Sequence, residues 1–252
     1  MPKPLLEVQN LCKKFGGVSA TDNLDLSLQP GFIHAVIGPN GAGKTTMISQ
    51  LSGALKPDSG KILFDGRDIT SLSSPARSHL GIARTFQITS IFHEFTALEN
   101  VALAVQAHDG HSFHFWRPVK KDEKLRTAAQ VALDLVGLGG RGNVLASNLS
   151  HGEHRQLEIA MALATKPKLL LLDEPMAGMG AEETLRIVEI LKSLKGEQTI
   201  LLIEHDMDAV FALADQITVL VYGSVIASGT EDEIRGDQAV KLAYLGEEGV
   251  AF

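Results

Sequence analysis

Residues 38–46 combine glycines, a lysine and two threonines at a spacing suited to binding a phosphate chain. Glycines allow successive backbone N–H groups to turn inward and surround phosphate oxygens. Lys44 can place its charge on the β- and γ-phosphates, and the Thr45 hydroxyl can bind Mg²⁺. An apolar run precedes the segment and a helical pattern follows it. The sequence therefore predicts a nucleoside triphosphate site at Gly38, Pro39, Asn40, Gly41, Ala42, Gly43, Lys44, Thr45 and Thr46.

Two carboxylates follow an apolar run further along the chain. Asp173 and Glu174 come directly after four leucines, at 169–172, which predict a buried strand. Ligands of α/β proteins bind at the carboxyl ends of such strands. We expect Asp173 to serve Mg²⁺, directly or through water, and Glu174 to polarise an attacking water. An acidic pair alone is also typical of a solvated strand end, so the loop at 38–46 is what favours the catalytic interpretation.

A third segment reads Leu149, Ser150, His151, Gly152 and Glu153. Ser150 and Glu153 match a capping box, so a helix should begin there. One interpretation is an ordinary capped helix. The other is a second anion-binding helix end, because the first turn offers a hydroxyl and N–H donors. Two such ends can act on one phosphate if the second belongs to a neighbouring subunit.

Composition and charge limit the class of protein. Of the 252 residues, 44% are hydrophobic, which is ample for a substantial core. The net charge of -7 disfavours a broad nucleic-acid-binding surface. Cys12 is the only cysteine, so no internal disulfide is expected. The apolar runs are too short to cross a bilayer, and the first residues lack the apolar core of a signal peptide, so any membrane role should come through a partner.

Short apolar runs alternate with amphipathic segments, which is typical of an α/β fold. Runs of alternating polarity predict antiparallel strands at 5–8, 24–28 and 61–64. Continuous apolar runs predict buried parallel strands at 33–37, 169–172, 200–203 and 217–221. We expect one domain over 1–252, in which 1–86 and 149–252 form the core and about 87–148 form a helical insertion.

Three histidines recur every third residue in an irregular stretch, at His108, His111 and His114. A metal site is one interpretation, although no cysteine or paired carboxylate completes a tetrahedral ligand set. The other is a polar surface loop, with Phe115 and Trp116 packed against the helical insertion.

In their order along the chain, these motifs resemble those of the ATP-binding-cassette ATPases. Residues 38–46 resemble the Walker A loop, 169–174 the Walker B strand with its catalytic glutamate, and 149–153 the signature motif. Single residues complete the resemblance: Gln87 in the Q-loop, His205 as the switch histidine and Phe15 as the aromatic residue that stacks on adenine. The resemblance implies a P-loop NTPase fold with a mixed parallel sheet core, an antiparallel β subdomain and an inserted α-helical subdomain.

The resemblance also implies cofactor and partners. Mg²⁺ would be bound by Thr45, Gln87 and Asp173. The catalytic residues would be Lys44, Gln87, Glu174 and His205. Two ATPases, identical or different, would pair head to tail, with the signature motif of one closing over the ATP of the other. Integral membrane permeases and, indirectly, a periplasmic solute-binding protein would be partners at the cytoplasmic face of the inner membrane, without nucleic acid.

Finer segments resemble the ATP-binding subunits of bacterial branched-chain amino-acid importers, at 15–18, 81–87, 202–207 and 243–247. Urea/amide importers and the lipopolysaccharide-export ATPase share much of this pattern, and a soluble ABC ATPase is a further alternative. A small-molecule kinase would share the phosphate loop but leaves 149–153 and His205 unexplained. The groove beside Gln87, with residues 88–92, is the expected contact for a permease loop.

Two positions depart from the family pattern. His151 stands where glycine is commoner in the signature motif. One interpretation is added bulk and positive charge near the partner's phosphates, and the favoured one is a tolerated surface change. Gly180 stands where many members carry aspartate, which removes a carboxylate from an expected contact between subunits.

Overall fold

The computed structural model describes residues 3–85, 91–108 and 122–244, without the Tyr244 side chain. The strands are β1 (Leu6–Phe15), β2 (Val18–Leu28), β3 (Ile33–Ile37), β4 (Ser59–Phe64), β5 (Arg67–Asp68), β6 (Ile82–Arg84), β7 (Leu169–Asp173), β8 (Thr199–Ile203), β9 (Gln216–Val221) and β10 (Ser224–Gly229). The α-helices are α1 (Lys44–Leu51), α2 (Ser74–His79), α3 (Ala97–His108), α4 (Glu123–Leu135), α5 (His151–Ala164), α6 (Ala181–Ser193), α7 (Met207–Leu213), α8 (Glu231–Gly236) and α9 (Gln238–Tyr244).

The larger sheet has the strand order β10-β9-β3-β8-β7-β6. Its strands run parallel from β9 through β6, and β10 adds an antiparallel edge. Every residue of β3, β7 and β8 is buried, as their continuous apolar sequences predict. The predicted parallel core is therefore confirmed.

The smaller sheet is antiparallel, with the order β2-β1-β4-β5. Burial alternates along the second half of β2, where Leu24, Leu26 and Leu28 are buried and the residues between them are exposed. This period-two pattern is the one read from the sequence, so the antiparallel prediction is confirmed as well.

The two faces of β7 belong to different layers of the core. Leu170 and Leu172 pack in the cluster formed with α3, α4 and α5, whereas Leu169 and Leu171 pack with α1 and the antiparallel sheet. The larger sheet thus lies between a helical layer and a second sheet. In the part of the chain that the structure describes, no helix is both long and apolar enough to cross a bilayer.

The end of α1 is anchored by a buried arginine. Arg77 on α2 is 1% exposed and donates to the carbonyl oxygens of Gln50 and Leu51 at 2.7 Å each. Those carbonyls lie in the last turn of α1, where helical partners are missing. Burial lowers the pKa of Arg77 to about 10, which still leaves the guanidinium charged. The helix that follows the phosphate loop is therefore fixed at its far end.

Candidate functional site

The phosphate loop connects the end of β3 to the start of α1 and is packed against backbone on two sides. Gly38 and Gly43 have φ angles of +151° and +105°. A Cβ atom on Gly38 would collide with the carbonyl oxygen of Leu220, and one on Gly43 with that of Ala20. Glycine is therefore required at both positions by conformation and by space.

The Lys44 side chain lies over its own loop. Its Nζ donates to the carbonyl oxygens of Gly38 and Pro39, and the residue is only 8% exposed. Thr45 follows it on the exposed side of the first turn of α1. The structure thus places the predicted cation within the loop and the predicted hydroxyl at the helix N-terminus, where anions are stabilised.

Asp173 ends β7 and is completely buried. Its Oδ2 accepts a hydrogen bond from Arg84 Nη2 at 3.0 Å. Burial raises the pKa of the Asp173 carboxyl, and the Arg84 bond and charge oppose that shift. Oδ1 is buried and has no hydrogen-bond partner within residues 3–85, 91–108 and 122–244. One oxygen of the predicted magnesium carboxylate is therefore paired with Arg84, and the other is buried without a hydrogen-bond partner in the described part of the chain.

Glu174, the next residue, is half-buried and has a left-handed backbone, with φ at +49°. Its N–H donates to the carbonyl oxygen of Ile203 at the end of β8, at 2.9 Å. Such a conformation is costly for a residue with a side chain and persists only where neighbours hold it. The backbone of Glu174, whose carboxylate is predicted to act on water, is therefore held in an unfavourable conformation by its neighbours.

His205 directly follows the buried Glu204 at the end of β8. The His205 side chain is 65% exposed, with Nδ1 3.8 Å from Glu204 Oε2. Because β8 lies between β3 and β7, the carboxyl ends of three adjacent parallel strands carry the phosphate loop, the acidic pair and the histidine. The structure thus brings the residues predicted from three distant segments to one edge of the sheet.

The signature segment begins α5 as predicted. Ser150 Oγ accepts from the Glu153 N–H at 3.2 Å, and Glu153 Oε2 accepts from the Ser150 N–H at 2.9 Å, which completes the capping box. The Gly152 N–H donates to Glu183 Oε1 on α6 at 3.2 Å. His151 is exposed at the same helix end.

Other predicted residues have mixed outcomes. Phe15 is 52% exposed at the end of β1, with Lys13 Nζ 5.7 Å from its ring centroid, so it is accessible to a base. Gln87 lies outside the described residues. The expectation that Ile91 lines a permease groove is wrong, because its side chain is 7% exposed and packs in the apolar core. Phe92 is 56% exposed and stays available.

The histidine triplet falls mostly outside the described part of the chain. His111 and His114 lie there together with Phe115 and Trp116. Within residues 3–85, 91–108 and 122–244, no cluster of three or more histidine, cysteine or acidic residues could hold a metal ion.

Sequence reasoning missed three charged residues around the acidic pair. Arg84 contacts Asp173, Arg155 contacts the backbone of Glu174, and Glu204 contacts the backbone after it. Only weak local signals pointed to them. Glu204 is a lone charge at the end of an apolar strand, and Arg155 is paired with an acid three residues later on an otherwise buried helix face.

Comparison with protein families places the chain among known proteins. The family model described as ABC transporter matches residues 21–177, more than half of the chain. The chain therefore belongs to the ABC transporter family and is an ATPase of the ATP-binding-cassette class that this fold and site define. A second model, described as a branched-chain amino acid ATP-binding cassette transporter, matches residues 224–250.

Individual relatives match almost the whole chain. LivG of Escherichia coli (strain K12), a high-affinity branched-chain amino acid transport ATP-binding protein, is 40% identical over 256 residues, 98% of this chain and 100% of LivG. BraF of Pseudomonas aeruginosa, described in the same words, is 38% identical over 254 residues, again 98% and 100%. The ADP conformation of MJ1267, a cassette of an ABC transporter, has a TM-score of 0.86 at 32% identity and covers 98% of this chain and 100% of that one. The predicted fold and family are confirmed.

Proposed function

We propose that this protein is the ATP-hydrolysing subunit of an importer for branched-chain amino acids. The observation that carries the proposal is the 40% identity to LivG, a branched-chain amino acid transport protein, over 98% of the chain. The match of residues 224–250 to the branched-chain family model supports the same class of solute.

The proposed reaction uses groups at the ends of three neighbouring strands. Loop N–H groups and Lys44 bind the phosphate chain, while Glu174 orients the attacking water and accepts its proton. Water oxygen bonds to the γ-phosphorus, the bond to the β–γ bridging oxygen breaks, and ADP and phosphate leave. His205 contacts the γ-phosphate from the end of β8, and its exposure supports that role.

Magnesium fits the oxygen donors at this site. The buried Asp173 Oδ1 has no partner among the described residues, and the Thr45 hydroxyl is exposed at the start of α1. Both are the hard oxygen ligands that Mg²⁺ prefers. We therefore propose Thr45 and Asp173, with Gln87, as the residues that attend Mg²⁺, which when bound neutralises charge on the β- and γ-phosphate oxygens.

The proposed active form is a head-to-tail pair, built from two copies or from this chain and a second ABC ATPase. In that arrangement Ser150 and Gly152 of one subunit close over the ATP held by Lys44 of the other. The exposed Ser150 supports this role, because a helix start accessible from outside can receive an anion. The dimeric structure of MJ0796, a bacterial ABC transporter cassette, supports the pairing, with a TM-score of 0.76 at 26% identity over 89% of this chain and 98% of that one.

The proposed membrane contact lies beside the sheet edge at β6. A cavity of about 380 Å³ there is lined by Ser52, Ile82, Thr85, Glu158 and Met161. Thr85 is two residues before Gln87 in the sequence, beside which the permease contact is expected. We propose that a permease segment occupies this cavity, which places the protein peripherally at the cytoplasmic face of the membrane, with a periplasmic binding protein as an indirect partner.

Uptake of labelled leucine by cells that lack the gene tests this function. We expect uptake to return with the intact gene and with Glu189→Gln, a change of an exposed acid on α6, but not with Glu174→Gln. In the purified Glu174→Gln protein, hydrolysis should fall by about 10²- to 10⁴-fold while ATP still binds, since a general base is lost. Restoration of urea uptake instead of leucine uptake would contradict the proposed solute class. Near-normal ATP hydrolysis by the Glu174→Gln protein would contradict the proposed role of Glu174.

A further inference from the structure

The backbone after β7 makes a tight turn that must hold the catalytic carboxylate. Glu174 occupies the left-handed region at φ +49°, and the Ala177 N–H donates back to the Glu174 carbonyl oxygen at 3.2 Å. This conformation is unfavourable for a residue with a Cβ atom. Interactions from outside the turn therefore have to fix it.

The Arg155 guanidinium on α5 binds the carbonyl oxygens of this turn. Arg155 Nη2 donates to the Glu174 carbonyl oxygen at 2.9 Å, and Arg155 Nε donates to the Pro175 carbonyl oxygen at 3.1 Å. Arg155 Nη1 is itself held by Glu158 Oε2 at 2.6 Å. The Arg155 and Glu158 side chains are only 11% and 7% exposed, so solvent does not compete strongly for these bonds.

The Glu204 carboxylate at the end of β8 binds an N–H group of the same turn. Glu204 Oε1 accepts from the Met176 N–H at 2.8 Å, and its Oε2 accepts from the His205 N–H at 3.1 Å. The residue is 1% exposed. Arg155 on α5 therefore binds the carbonyl oxygens of Glu174 and Pro175, and Glu204 at the end of β8 binds the N–H of Met176.

We propose that Arg155 and Glu204 are positioning residues that set the direction of the Glu174 carboxylate. The inference rests on the proposed function, because it gives Glu174 the role of orienting water. Arg155 lies five residues after Ser150, so the helix proposed to face the neighbouring subunit's nucleotide also binds the backbone that carries the Glu174 carboxylate of its own subunit. A shift of α5 on closure of one site moves Glu174 in the other, and Glu204 transmits the same constraint to His205.

Steady-state ATPase kinetics of the full-length protein test this assignment. We expect Arg155→Met to lower kcat on the order of 10²-fold, as a displacement of about 1 Å can do, while KM for ATP changes less than about twofold. Arg155→Lys keeps the charge but loses the fork that spans two carbonyl oxygens, so it should restore only part of kcat. Arg67→Gln, a change of an exposed arginine on the antiparallel sheet, should match the wild type.

Glu204→Gln keeps the side-chain volume and provides a second test if Arg155→Met fails to fold. The amide offers one acceptor oxygen for two N–H groups, so kcat should again fall with KM nearly unchanged and with a thermal midpoint near that of the wild type. The kcat of either folded variant within twofold of the wild type, or a KM that rises as much as kcat falls, would overturn the inference. The Glu174→Gln variant tests the proposed function, and Arg155→Met tests the positioning role. If Glu174→Gln is inactive and Arg155→Met has normal activity, only the positioning role is refuted.

Discussion

Arg84 and Asp173 form an ion pair of 3.0 Å between adjacent strands, and the aspartate side chain is completely buried. Arg84 Nη1 also lies 3.2 Å from Ser49 Oγ and 3.3 Å from Ser52 Oγ, at the end of the helix that follows the phosphate loop. One guanidinium thus joins β6, β7 and α1. The guanidinium therefore links the helix after the phosphate loop to Asp173, the proposed magnesium carboxylate.

Removal of Arg84 should destabilise the protein strongly. In Arg84→Met, Asp173 stays buried without its partner, and the loss of one member of a buried pair costs about 3–5 kcal/mol. Urea unfolding measures this loss. The double variant Arg84→Met/Asp173→Asn should recover part of the stability, because it removes the uncompensated charge. Arg186→Gln, which breaks the exposed pair with Glu182, should change stability little; an equal loss in both arginine variants would contradict the importance of the buried pair.

Alanine at Gly43 should damage the phosphate loop more than alanine at Gly41. Both glycines have left-handed φ angles, +105° and +79°, so both substitutions carry a backbone cost of about 1–2 kcal/mol. Only at Gly43 does the new Cβ collide with the Ala20 carbonyl oxygen, whereas nothing lies within 4 Å of it at Gly41. We expect Gly43→Ala to lose a further 1–3 kcal/mol or so in urea unfolding and to lose ATP binding in calorimetry. Equal effects at the two positions would exclude the collision.

Local patterns in the sequence were sufficient for the parallel strands of the core and for the start of α5, but not for β5, β10, α2, α8 and α9. Four consecutive leucines predict β7, and the Ser150–Glu153 capping box predicts the start of α5, because both signals lie within a few neighbouring residues. The phosphate loop is equally local. Its residues act together through the backbone of one turn, so their spacing alone identifies them.

Contacts between distant segments could not be predicted in the same way. Arg84 is 89 residues from Asp173, and Arg155 binds Glu174 and Pro175 through their backbone carbonyl oxygens. A backbone carbonyl group is present in every residue, so the sequence does not show which one accepts a hydrogen bond. The pairing of β6 with β7, which brings Arg84 to Asp173, is fixed only when the sheet assembles. Ile91 shows the reverse error, since its place near Gln87 in sequence suggested a surface contact and the fold buries it.

Protonation of His34 should make stability depend on pH between about 4 and 6.5. His34 is 1% exposed on β3, its Nε2 lies 2.8 Å from Thr218 Oγ1, and burial lowers its pKa to about 4. The unfolded chain, with a histidine pKa near 6.5, then binds more protons than the folded one in this range. Stability from this residue is therefore full above pH 6.5 and is lost as the pH falls towards 4.

The size of the His34 effect follows from the two pKa values. Between pH 7.5 and 5, the wild type should lose about 2 kcal/mol more than His34→Gln in urea unfolding, because the amide does not titrate. Comparison with the variant cancels the acidic groups that titrate in both proteins. Parallel pH profiles for the two proteins would mean that His34 is protonated in the folded state at pH 5.

Aspartate at Ser150 should separate the structural role of this residue from its proposed role in closure. Ser150 caps α5 through its bond to the Glu153 N–H, and aspartate is as good an N-cap as serine. Its charge is also favoured by the helix dipole, so the Ser150→Asp protein should unfold at the same urea concentration as the wild type. Ser150→Ala loses the cap and should cost about 0.5–2 kcal/mol.

Closure over ATP should respond in the opposite order. In the Glu174→Gln background, where we expect ATP to bind without being hydrolysed, size-exclusion chromatography should detect an ATP-dependent dimer. Ser150→Ala should weaken this dimer through loss of one hydroxyl, whereas Ser150→Asp should abolish it, because a carboxylate would face the γ-phosphate of the neighbouring subunit. A dimer that forms normally with Ser150→Asp would mean that this helix end does not meet the phosphate, and the head-to-tail arrangement would have to be abandoned.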